Sequence, residues 1–71
     1  MKQVRIDALT MQFLFGRQVV SCIVRDVDSG QVIATGRLAQ MLTKFDKASG
    51  FEIVNTDEVL RWMVLTCGYA A

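Results

Sequence analysis

Two β-branched runs, Gln18-Val19-Val20-Ser21-Cys22-Ile23-Val24-Arg25-Asp26-Val27 and Gln31-Val32-Ile33-Ala34-Thr35, flank the cluster Asp28-Ser29-Gly30. That pattern commits the middle of the chain to an antiparallel hairpin, because a glycine there supplies the positive φ that a tight turn demands. Along the first strand Val19, Ser21, Ile23, Arg25 and Val27 fall on one face, and Val20, Cys22, Val24 and Asp26 on the other. Both faces are half apolar. A strand of that kind belongs in the centre of a sheet or pairs at an interface.

The flanking segments read as follows. Over residues 36–48 a helix is predicted, with Leu38, Met41, Leu42 and Phe45 on one stripe and Gln40, Thr43, Lys44 and Lys47 opposite. Thr35 is placed to cap its start and Gly50 to end it. Phe51-Glu52-Ile53-Val54 reads as a short strand, and Asn55-Thr56-Asp57-Glu58 as a capping box in which Asn55 accepts from the Glu58 amide while the Glu58 side chain reaches back. The helix that follows is expected from about Thr56 to Cys67, stopping at Gly68. Near the N-terminus Val4 and Ile6 alternate with polar residues, as do Met11, Phe13 and Phe15, which favours two strands over a short helix framed by Asp7 and Gly16. The predicted fold is α+β: one small domain over residues 1–71, with an antiparallel three- to four-stranded sheet and two helices packed on it.

The second helix carries more apolar surface than one core can use. At about 100° per residue Leu60, Met63, Val64 and Cys67 form one stripe, while Val59, Trp62 and Leu65 lie around the other side. Only Asp57, Glu58, Arg61 and Thr66 interrupt them. The whole chain is 52% hydrophobic, yet a chain of this size hides only about 60% of the surface its unfolded form exposes. Scaffolds this small usually need extra support. With no proline, two distant cysteines and no metal motif, self-association is the remaining source. The expected partner-binding residues are Val59, Trp62, Leu65 and Tyr69, with Trp62 as the anchor.

Charge and chemistry narrow the function further. Eight Lys+Arg stand against seven Asp+Glu, and there is no histidine, so neither a Ser-His-Asp nor a Cys-His relay can form. Two thiols 45 positions apart make no zinc site. Asp26-Val27-Asp28-Ser29-Gly30 resembles the opening of a calcium loop, but Gln31 stands where that loop needs glycine and Arg37 where it needs an acid. The expectation there is a polar turn with local Asx hydrogen bonds. Gly30 and Gly36 belong to neither a phosphate loop nor a dinucleotide fingerprint. No catalytic residue, metal or cofactor is expected.

A near-zero net charge argues against nucleic acid as partner. A helix-turn-helix reading would also carry Asp57 and Glu58 towards phosphates. The alternative function is a small dimeric DNA- or RNA-binding regulator that gathers Arg17, Arg25 and Arg37 on its sheet. No run approaches the roughly 18–20 apolar residues of a membrane helix, so no membrane partner is expected. Cys22 and Cys67 read as buried free thiols, and Met1 to Arg5 lack the pattern of a secretory leader, which points to the cytoplasm. The expected function is a small non-enzymatic protein–protein interaction module, an accessory subunit, inhibitor or adaptor. It would act through an apolar helix surface as a homo-oligomer, with a second copy or another protein as partner.

Overall fold

The structure, a computed structural model, describes residues 1–68. Its elements are β1 (Lys2–Leu14), β2 (Arg17–Asp26), β3 (Val32–Arg37), α1 (Leu38–Lys44), a 3-10 turn (Lys47–Ser49), β4 (Phe51–Ile53) and α2 (Thr56–Cys67). They form a small α+β domain whose four strands lie in the order β3-β2-β1-β4. The predicted hairpin is β2–β3, and β2 is central. Gly30 adopts φ +73° in its turn.

The sheet is mixed where a purely antiparallel one was expected. β1–β2 and β2–β3 are antiparallel, but β4 runs parallel to β1, pairing Lys2 with Phe51 and Val4 with Ile53. The cause is topological: α1 returns the chain to the end where β1 began, so the next strand must run as β1 does.

The two strands predicted before residue 16 are one. Asp7 lies opposite Ile23 and Thr10 opposite Ser21, which leaves Ala8 and Leu9 facing Cys22 alone. Ala8 is the extra residue of a β-bulge, at φ +53°. The inserted residue shifts the side-chain alternation by one, so Val4 and Ile6 before it and Leu9 and Met11 after it face the same side. A helix over this stretch is excluded.

α1 is shorter than predicted. Gly36 and Arg37 pair with Cys22 and Ser21, so Thr35 is held in the sheet, and Arg37 precedes the helix without a side-chain cap bond. Past Phe45 the chain tightens into the 3-10 turn, capped by Asp46, whose carboxylate accepts from the Ser49 amide at 2.9 Å. Gly50 ends it at φ +86°.

Both helices cover one face of the sheet. Val4, Ile6, Cys22 and Val24 supply the sheet side of the core, α1 adds Leu38 and Met41, Phe45 follows from its C-cap, and α2 adds Val59. Phe45 and Phe51 meet edge to face at 4.8 Å. A Cβ on Gly36 would stand 3.2 Å from the Met41 Cε, close enough that the end of the Met41 side chain would have to shift.

Candidate functional site

The orientation of α2 is fixed by the residue just before it. Asn55 is buried, and its side chain continues the β4 ladder along the outer edge of β1: Oδ1 accepts from the Ile6 amide at 3.0 Å, and Nδ2 donates to the Ile6 carbonyl at 2.8 Å. The predicted capping box is therefore not formed. Asn55 makes no side-chain cap bond, and its contact with Glu58 is a side-chain one at 3.4 Å. The two bonds to Ile6 fix that carboxamide on the strand edge, and its second N–H goes to the Glu58 carboxylate.

One turn later Glu58 accepts from Arg5 Nη2 at 2.8 Å. Arg5 also binds Asp7 on the open face of the sheet, so Glu58 reaches it around the outer edge of β1. On the other flank Met63 lines a groove of about 310 Å³ with Gln18, Val20, Leu38 and Leu42. These contacts set the helix rotation. Val59 points into the core and is 2% exposed. Trp62 and Leu65, four and seven residues after Glu58, share its flank of the helix. Leu60 and Val64 fall on the opposite flank from Glu58 and are exposed.

The expected partner surface is corrected accordingly. Val59 belongs to the core, not to an exposed face, because the Asn55 anchor turns it inward. Trp62 is partly buried, and Leu65 is 78% exposed. Tyr69 lies outside the described residues. Leu60, grouped by spacing with the core stripe, is 58% exposed, whereas Met63 of that stripe does pack on the core.

Sequence reasoning missed a second apolar surface, the end of the β1–β2 hairpin. β3 pairs only with Ser21 to Arg25, so Leu9–Leu14 and Arg17–Val20 continue beyond it as a two-stranded ribbon, with Leu9 and Val20 still packed against the core and the Phe13–Gly16 end exposed. Leu14 and Arg17 pair across a two-residue turn in which Phe15 and Gly16 take φ +52° and +77°, the signature of a type I′ turn. Phe15 is fully exposed and Phe13 66% exposed. The Phe-Gly pair was the one available signal, obscured because such turns normally carry Asn-Gly or Asp-Gly.

The remaining groups behave as follows. Asp26 accepts from the Asp28 amide at 2.9 Å and from Lys2 Nζ at 3.0 Å, the Asx turn expected. The Lys2 hydrogen bond, helped by the Asp28 amide, holds the Asp26 carboxyl below the usual carboxylate range, and the same bond raises Lys2. Burial pushes the Cys22 thiol up; Cys67, expected to be buried too, is only partly so. Within one copy Arg17, Arg25 and Arg37 are not gathered. Arg17 and Arg25 sit at opposite ends of β2, on the order of 25 Å apart, and Arg25 contacts Asp7 at 3.4 Å and donates to the Gly30 carbonyl at 2.7 Å. Arg37 lines the groove. Among the described residues no helix is long and apolar enough to cross a membrane.

Fold and surface together define a small α+β domain with a mixed four-stranded sheet, one helix-covered face and an apolar ribbon beyond it. No known protein family matches the sequence, and neither a curated protein nor a solved structure is significantly similar to it.

Proposed function

We propose that this chain is a small non-enzymatic protein–protein interaction module that works as a homo-oligomer through the outward surface of α2. The observation that carries the reading is the rotation of that helix. With Val59 already committed to the core, Trp62 and Leu65 remain on its outer flank, Leu65 at 78% exposure. A partly buried Trp beside an exposed Leu is the composition of an interface anchor with its rim.

The test is the pair Trp62→Ala and Leu65→Ser, read by light scattering across a wide concentration range with circular dichroism as the fold control. The expected result is an assembly that weakens while the helix and sheet signals persist. Unfolding with no preceding change in assembly would make these residues core and end the reading. Binding of an oligonucleotide at low salt, abolished by Arg17→Ala with Arg37→Ala, would replace it with nucleic-acid recognition.

A further inference from the structure

Past Ile6 the outer edge of β1 carries no backbone partner among the described residues. β4 pairs no further than Val4, and the Asn55 side chain closes the ladder at Ile6. The stretch beyond, Leu9–Leu14, reads Leu-Thr-Met-Gln-Phe-Leu, with neither charge nor proline. Sheet edges are ordinarily shortened, bulged, charged or covered, because a row of free N–H and C=O groups templates further pairing. The β3 edge has such a device, a register irregularity at Ile33, and it ends on Arg37. On β1 the bulge at Ala8 and Leu9 lies at the start of the open stretch, and Thr10 to Leu14 run in regular register.

The geometry points to a second copy of this chain as the occupant of that edge, pairing antiparallel through Leu9–Leu14 with Trp62 and Leu65 of each copy packed along the seam. This rests on the reading of α2 as the interaction surface and names its partner. Three features select a second copy.

The first is register. Two antiparallel copies joined edge to edge are related by a two-fold axis perpendicular to the sheet, so both sets of helices lie on one side. Leu9, Met11 and Phe13 face that side, and Thr10, Gln12 and Leu14 face the other. A pairing centred on Met11 sets Leu9 against Phe13, and one centred on Gln12 sets Met11 against Phe13. In both, the helix-side pairs are wholly apolar and the open-side pairs uncharged.

The second feature is charge. All seven acids lie in the half of the molecule where β1 begins, with Asp7 midway along that strand: Asp7, Asp26, Asp28, Asp46, Glu52, Asp57 and Glu58. Five of the eight cations share that half, and the ribbon, the start of α1 and the body of α2 hold only Arg17, Arg37 and Arg61. Antiparallel pairing lays the cationic end of each copy beside the acidic end of the other. A parallel arrangement would stack like on like.

The third is area. Phe13, Phe15 and Leu65 present on the order of 400 Å² of apolar surface. With Trp62, Leu14 and six residues of paired backbone this approaches the roughly 800 Å² per partner that a stable dimer buries.

The experiment compares four proteins by light scattering and sedimentation: the unaltered chain, Thr10→Lys with Gln12→Lys, Trp62→Ala with Leu65→Ser, and Thr35→Lys as the β3-edge control. The expected result is a dimer of the 7.9 kDa chain, a dissociation constant raised at least tenfold by each double substitution, and no change with Thr35→Lys. Amide hydrogen exchange gives a second readout that needs no variant, with concentration-dependent protection confined within the ribbon to Leu9–Leu14. A dimer indifferent to the lysine pair, with no such protection, overturns the edge pairing. If that dimer still falls apart in the Trp62/Leu65 variant, the reading of α2 survives without it. A dimer broken by the lysine pair but untouched in the Trp62/Leu65 variant does the reverse. A monomer at every concentration overturns the second copy as occupant.

Discussion

Asn55 does the work of a strand residue with its side chain. Its carboxamide presents one acceptor and one donor to Ile6 at the point where β4 has ended, so a buried edge is satisfied without lengthening the strand. Asn55→Ala removes both bonds at once. Chemical denaturation is expected to show a loss of about 2–4 kcal/mol, since a buried donor and acceptor left unmade each cost about 1–3. Lys2 and Asp26 set a pH window. The lowered Asp26 contributes stability that is whole above the ordinary carboxylate range and disappears as pH falls through its folded-state value. The raised Lys2 contributes below the ordinary lysine value and is lost as pH rises through its own. Asp26→Asn should therefore flatten the acid limb of a stability profile measured by urea denaturation at successive pH. The two thiols separate by accessibility: with Cys22 buried and raised, a thiol reagent followed by mass spectrometry should label Cys67 first. The sequence singled out Asn55 but assigned it to a capping box, because its true partner lies 49 residues away.

The β1–β2 hairpin explains most of the shape. Its turn holds Phe15 at φ +52°, a left-handed conformation that costs a bulky residue about 1–2 kcal/mol relative to its ordinary wells. Phe15→Asn supplies the residue type I′ turns favour, and the thermal midpoint should rise by several degrees, as about 1 kcal/mol does for a domain of this size. The same substitution removes apolar surface from the ribbon, so it should weaken self-association while strengthening the fold. At this scale the sequence was a fair guide to identity and a poor one to extent. The hairpin at Gly30, the β4 strand and both helices were legible from periodicity and turn chemistry. The Ala8 bulge was not, because a single inserted residue breaks the alternation and makes one strand look like two.

The molecule as a whole is larger than its mass requires. Its radius of gyration is 12.3 Å, where a compact chain of this length has about 11 Å, and its 4872 Å² of accessible surface exceeds the roughly 4,400 Å² of a typical monomer. If charged ends of opposite sign meet across the two-fold, raising the salt from low to high concentration should raise the dimer dissociation constant several-fold, by sedimentation, without abolishing the apolar seam. Local chemistry had already determined most of the elements, the α+β class, and a surplus of apolar side chains, since these follow from spacing and composition within a few residues. Which side of α2 holds the surplus, and which sheet edge lies open beside it, was decided only by tertiary contacts. The 56–67 helix is apolar nearly all round, so its sequence allows more than one rotation, and the Asn55 bonds to Ile6 with the Glu58 bridge to Arg5 choose among them.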